Sequence, residues 1–147
     1  MRRDSVNIMK KIPISDDFAE IDRHDRKAIG DLGERICENY YISRGYTILE
    51  RNYRTRRGEI DRIAARGDHL IFIEVKARSG NLYGYAQEFV DRRKRERLRY
   101  SAKHFLAHRK RESLAHFSFF SFDVVEIDIE NRRIHCIPDA FSMEDNA

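Results

Sequence analysis

Residues 70–77, LIFIEVKA, limit the folds open to this 147-residue chain more than any other stretch. Side chains alternate across a strand, so Ile71, Ile73, Val75 and Ala77 fall on one side, an unbroken apolar face that needs a core against it. The other side carries Leu70 and Phe72, then Glu74 and Lys76. Upstream, EIDRIAAR (59–66) reads as another strand, on which Glu59, Asp61, Ile63 and Ala65 share a face. The RGDH turn between the two predicts a hairpin. Three acids and a lysine thus stand in strands otherwise suited to burial, where charges are tolerated only if paired or bound to a cation.

The elements around the hairpin follow from periodicity. Ile29, Leu32, Ile36, Cys37, Tyr40 and Tyr41 recur at helical spacing and predict a helix within about 18–44. Ser15, Asp16 and Asp17 are its capping candidates, and Gly45 is its stop. YTILERNYR (46–54) reads as a strand, and RSGNLYGYAQE (78–88) as a polar loop. FVDRRKRERLRYSAKHFLAHRK (89–110) is an amphipathic helix expected to bury Val90, Leu98, Ala102, Phe105 and Leu106. FSFFSFDVVEIDIE (117–130) and RIHCIPDAF (133–141) form a second hairpin. The order α-β-β-β-α-β-β specifies one α/β domain over residues 15–147, with a central mixed sheet of about five strands flanked by helices. Residues 1–14 show no periodicity and read as a flexible arm.

The formal charge is +4 with a pI near 9.2, and arginine outnumbers lysine, a balance that favours an anionic partner such as nucleic acid. Cys37 and Cys136 each sit in an apolar pattern and read as small core residues of a reducing compartment. No apolar run approaches the ~20 residues of a membrane span, and the N-terminus lacks the apolar centre of a secretory signal. A cytoplasmic protein with no membrane partner is expected.

If the two strands pair, Asp61, Glu74 and Lys76 converge where the sheet meets its loops. Two hard carboxylates at one point suit Mg²⁺ or Mn²⁺, which takes oxygen ligands and keeps its waters. A neighbouring lysine can orient the attacking water and offset charge developing on a phosphate. An acid-x-Lys triplet alone means little, since about one is expected by chance in this composition. Of the two present, Asp25-Arg26-Lys27 lies in a charged helical stretch, while Glu74-Val75-Lys76 follows IFI and GEID.

Asp61, Glu74 and Lys76, with twelve residues between the two acids, resemble the PD-(D/E)xK nuclease signature, although Ile60 replaces its proline. The segments GDLGERICENYYISRGYTILERNYRTRRGEID, LIFIEVKAR, VDRRKRERL, FDVVEI and a closing AF, across residues 30–141, resemble the small bacterial YraN family of predicted endonucleases. The arrangement is similar to that of archaeal Holliday-junction resolvases, which share the restriction-endonuclease-like fold. The resemblance implies that Glu34, on the first helix, joins the acidic site, and that the backbone carbonyl of Val75 is a further metal ligand. It also implies a homodimer, since such resolvases act as dimers. Arg62 stands where the family usually has an apolar residue, so that face of its strand is expected to be less buried. Ser121 stands where the family often has arginine.

The expected function is therefore a Mg²⁺- or Mn²⁺-dependent endonuclease acting on nucleic acid, DNA foremost and branched DNA by analogy. Asp61 and Glu74 hold the metal with Val75 and Glu34, Lys76 places the water, and Glu59 supports. Arg51, Arg54, Arg56 and Arg57, with a helical stripe of Arg92, Arg95, Arg99 and Lys103, are candidates for phosphate contact. Tyr83 and Tyr85 are candidates for base stacking or for anchoring their loop. His104 and His108 have the spacing of a zinc pair without a third ligand and read as ordinary helix residues. Two rival readings use the same residues: a nucleic-acid-binding module without catalysis, and a structural domain whose acids and Lys76 form an ion-pair network.

Overall fold

The structure, a computed structural model, describes residues 8–11, 21–79, 90–109 and 111–144. In chain order its elements are β1 (Ile8–Lys11), α1 (Arg26–Ser43), β2 (Thr47–Arg54), β3 (Glu59–Arg66), β4 (His69–Arg78), α2 (Arg92–His108), α3 (Arg111–Leu114), β5 (Phe119–Asp128) and β6 (Arg133–Phe141). The strands form one sheet in the order β1-β6-β5-β4-β3-β2. β4 and β5 run parallel, with α2 in the crossover between them, and the other neighbours pair antiparallel. The expected α/β domain with a mixed sheet and flanking helices is thus what the chain forms. Ile8–Lys11, within the segment read as an arm, adds an outer strand to β6. Edge pairing is made by backbone groups and needs no apolar periodicity, so periodicity does not reveal it.

Local signals fix the helices. Asp25 caps α1, its Oδ1 accepting the Ala28 N–H at 3.0 Å. Gly45, at φ +87°, stops it and returns its N–H to the Ile42 carbonyl. The helix therefore starts later than the apolar spacing suggested, and Ser15, Asp16 and Asp17 lie outside the described residues. Asp91 caps α2 through the Lys94 N–H at 2.9 Å.

Each helix covers one face of the sheet. Ile29, Leu32, Cys37, Tyr40 and Tyr41 of α1 pack on Ala64, Ile71, Ile73, Val75, Val125 and Ile127. On the other face, Leu98, Ala102 and Phe105 of α2 pack on Ile60, Ile63, Leu70, Phe72, Phe122 and Val124. Both faces of β4 are thus apolar until Glu74, and each large side chain buried there contributes roughly 1.5–3 kcal/mol. Cys37 and Cys136 are free and buried, as their patterns implied. His104 and His108 stack on each other with centroids 3.9 Å apart, and His104 Nδ1 lies 2.6 Å from the Tyr53 hydroxyl. Among the described residues no helix is long and apolar enough to cross a membrane.

Candidate functional site

The ladder between β3 and β4 runs from Arg66–His69 to Arg62–Ile73. Beyond it a side chain replaces the backbone: Asp61 Oδ2 accepts the Val75 N–H at 2.8 Å. Across β3, the pairs Arg51–Arg62 and Tyr53–Ile60 flank Asn52, whose φ is +51°. The β2 backbone is thus distorted at Asn52 while its register with β3 holds on either side. The two-residue alternation consequently fails there, since Ile60 and Ile63 both enter the cluster under α2 while Arg62 turns toward α1. On β4 the alternation holds, and Glu74 and Lys76 follow Leu70 and Phe72 onto the α2 face.

Glu74 has a side chain only 5 % exposed, and its Oε1 receives two ammonium groups, Lys76 at 3.1 Å and Lys94 at 3.2 Å. Its Oε2 is buried and accepts no hydrogen bond among the described residues. Asp61 lies close enough to feel this anion. Burial first, and then the charges of Glu74 and Glu34, push its carboxyl up to about 8 against the opposing pull of the Val75 N–H and Lys76.

Glu34 reaches the group from the other side of the sheet. Gly33 allows this, because a Cβ placed there would come within 2.4 Å of the Ala77 Cβ, so α1 lies unusually close to β4. The Glu34 carboxyl is raised by burial, with Arg62 and the neighbouring Asp61 side chain opposing. Glu59 is farther out and pairs with Arg54 at 3.4 Å. Of the residues expected at the site, Glu34, Asp61, Glu74 and Lys76 are thus brought together, with the Val75 backbone between them.

A model of the uncharacterised protein family UPF0102 matches residues 33–127. The chain belongs to the UPF0102 family, the YraN family that its segments resembled. It is 43 % identical over 116 residues to a UPF0102 protein of Alkaliphilus metalliredigens, spanning 78 % of this chain and 98 % of that one. A relative from Clostridium kluyveri is 44 % identical over 121 residues, spanning 80 % and 96 % of the two chains. A third, from Moorella thermoacetica, is 48 % identical over 84 residues, spanning 57 % and 70 %. All three carry the family name alone.

In this UPF0102 chain the basic candidates are placed differently from one another. Arg56 and Arg57 are exposed on the β2–β3 turn, and the Arg57 guanidinium lies 4.9 Å from the Tyr100 ring centre. Arg51 is engaged with Glu38 through both its Nε and a terminal nitrogen. The helical stripe is not one exposed face. Arg92 and Lys103 face out and Arg95 is half-buried, whereas Arg99 is buried, donates to the Ser142 carbonyl at 2.9 Å and lies over Phe141. Arg99 stays on the stripe, but the C-terminal segment at Phe141 and Ser142 covers it. Tyr83 and Tyr85 lie outside the described residues.

Arg62 corrects an expectation. Its strand face is not less buried; the side chain is 7 % exposed and serves as a clamp. It donates to Glu38 at 2.8 Å, Asn52 at 3.2 Å, the Asp61 carbonyl at 2.7 Å and Glu34 at 3.4 Å. Glu38 answers with a carboxyl held below its ordinary range by Arg51 and Arg62. Ser121 is likewise buried, with its hydroxyl 2.8 Å from His69 Nε2. Arg62→Leu leaves Glu34 and the Asp61 carbonyl without this partner and is expected to destabilise the fold by about 2–4 kcal/mol. Urea unfolding measures it, and an unchanged midpoint would mean that the clamp contributes nothing.

Sequence reasoning missed Lys94, the Glu38–Arg62 clamp and Glu126. Glu126 is buried on β5 in register with Lys76. Lys94 carried no local signal, since Arg92, Arg93 and Arg95 surround it; only the approach of α2 to β4 selects it.

Proposed function

We propose that this UPF0102 chain is a metal-dependent endonuclease of the PD-(D/E)xK type that hydrolyses phosphodiester bonds, DNA foremost, in the cytoplasm. The observation that carries the reading is Glu74, a buried carboxylate with one oxygen unbonded among the described residues, set beside an Asp61 whose ionisation it opposes. A hard cation would relieve both, and Mg²⁺ or Mn²⁺ needs only one or two carboxylates because it keeps several waters. No three His, Cys, Asp or Glu side chains among the described residues are grouped to hold a metal as they stand. Two carboxylates and the Val75 carbonyl form a sufficient donor set without a third side chain, with Glu34 adjoining through Asp61.

When bound, the metal would polarise the phosphate and lower the pKa of attacking water. The protein's own groups supply the rest. Asp61 would hold the cation as a carboxylate, its proton passing to solvent, with Glu34 beside it and the Val75 N–H orienting it. Lys76 holds the water in line as its oxygen bonds to phosphorus. The bond to the leaving sugar oxygen breaks, and that oxygen takes up a proton while the water loses one. Arg54, Arg56, Arg57 and Arg92 are exposed and suited to the flanking phosphates, which carry affinity rather than sequence reading.

The ion-pair network is the rival that a specific contact favours, since Lys76 and Lys94 already neutralise Glu74. A nicking assay separates the two. Single-stranded, duplex, flapped and four-way-junction DNA are incubated with Mg²⁺, Mn²⁺ or chelator, beside Lys76→Ala. Metal-dependent cutting that Lys76→Ala lowers by about 10²-fold or more is expected. Wild type that cuts nothing, with a Lys76→Ala variant that unfolds more readily, would hand the site to the ion-pair network. Branched-substrate preference would support the homodimer, checked by sedimentation of the active species.

A further inference from the structure

We infer that Lys94 is a second cation of this site, one that contacts the phosphate undergoing cleavage. The inference rests on the hydrolytic reading and adds a residue to it. Lys94 occupies the first turn of α2, where the Asp91 cap fixes its amide at 2.9 Å. From there its Nζ reaches Glu74 Oε1 at 3.2 Å, almost matching the 3.1 Å of Lys76 from the strand itself.

An ordinary surface pair does not account for this contact. Two exposed cations of the helices use acids one turn away on their own element: Lys27 pairs with Asp31, and Arg92 with Glu96. Lys94 instead crosses to a buried carboxylate on another element. One ammonium suffices to neutralise one carboxylate, and Lys76 already provides it. The second falls on the same oxygen and leaves Oε2 unbonded, so two ammonium groups from different elements converge on one carboxylate oxygen.

A phosphodiester anion is the chemistry that a second ammonium on a movable stem fits. The Lys94 side chain is 34 % exposed and that of Lys76 28 %, so both ammonium groups are within reach of solvent. The four-carbon stem of Lys94 lets the ammonium swing between partners, which a guanidinium fork does less readily. A cation held by Glu74 would compete with both ammonium groups, and Lys94, on its helix, would be free to turn toward incoming phosphate. The surroundings agree: Arg93 and Arg97 are exposed on the same turns, and Gly58 of the β2–β3 turn sits so close to Arg97 that an added Cβ would lie 3.3 Å from its Cβ. The exposed arginines of turn and helix therefore lie close together.

The test compares Lys94→Gln, Lys94→Arg and Lys27→Gln with wild type in two measurements. In steady-state cleavage of a labelled DNA with Mn²⁺, Lys94→Gln is expected to lower kcat/KM by about 10²-fold, and Lys94→Arg to recover part of the loss. In Mn²⁺ titrations followed by thermal shift without DNA, Lys94→Gln is expected to saturate at lower metal concentration, because one cation competing for Glu74 is gone. Lys27→Gln should match wild type in both. If wild type cuts and Lys94→Gln cuts equally well with the same Mn²⁺ midpoint, the role of Lys94 falls and the hydrolytic reading stands. If wild type cuts no substrate, both fall together. A loss in Lys94→Gln that Lys94→Arg does not repair, accompanied by unfolding, assigns Lys94 to packing and overturns the inference.

Discussion

Asp61→Asn is expected to abolish metal-dependent cleavage and, in the same protein, to raise thermal stability at pH 8–9 without metal. An unfolded aspartate ionises near 3.8, whereas burial and then the Glu74 charge push the folded Asp61 up to about 8. The folded state thus binds the proton more tightly. Its stabilising contribution is complete below about pH 4 and is lost as pH rises toward 8. By pH 9 the native protein carries an unrelieved anion, a penalty on the order of a few kcal/mol. Asparagine removes the charge and can still accept the Val75 N–H. The melting temperature should therefore rise by about 5 °C or more at pH 8–9 and change little at pH 4. Activity should fall by about 10²–10³-fold or more. Added Mn²⁺ should stabilise wild type at high pH and leave Asp61→Asn unmoved. A wild-type melting temperature that stays flat from pH 5 to 9, unaffected by Mn²⁺, would remove the electrostatic basis of the site.

Gly33→Ala should have the second large effect. One methyl group placed 2.4 Å from the Ala77 Cβ forces α1 away from β4. Backbone lies just behind, with the Ala77 Cα at 3.5 Å, so no flexible side chain can yield. Overpacking of this kind destabilises by about 1–3 kcal/mol. It also draws Glu34 away from Asp61, so activity should drop along with stability. Ala77→Gly in the same chain reopens the space and should recover much of both losses. Denaturant midpoints of the two single variants and the double variant measure the coupling. Simple additivity would show that the approach of α1 to β4 is not what the glycine secures.

How much of this was legible in the sequence depended on the range of the interaction that fixes each part. The hairpin of β3 and β4 was readable because alternation and the Gly67 turn are local. So was α2, whose apolar spacing marked Leu98, Ala102 and Phe105. The acidic pair was readable because Asp61 and Glu74 fall on neighbouring strands. Arg62 was misjudged because its partners, Glu38 and Glu34, come from a helix more than twenty residues upstream, and apolar patterning has no way to announce a buried ion pair. Lys94 was invisible for the same reason. The arginine stripe failed differently: spacing alone placed Arg99 outside, but the contact with Phe141 and Ser142 comes from the far end of the chain.

The kinked course of β2 bears on association as well as on the site. This strand closes the sheet at one end, and an edge that is straight and neutral invites another chain to add its own strand. Here the register shifts between Ile48 and Glu50, and Asn52 turns the backbone to φ +51° to present its side chain to Arg62. Exposed Arg51 and Arg54 add like charges along the same rim. An approaching strand meets broken spacing and repulsion together, so the distortion that helps hold the clamp also protects the molecule against templated aggregation.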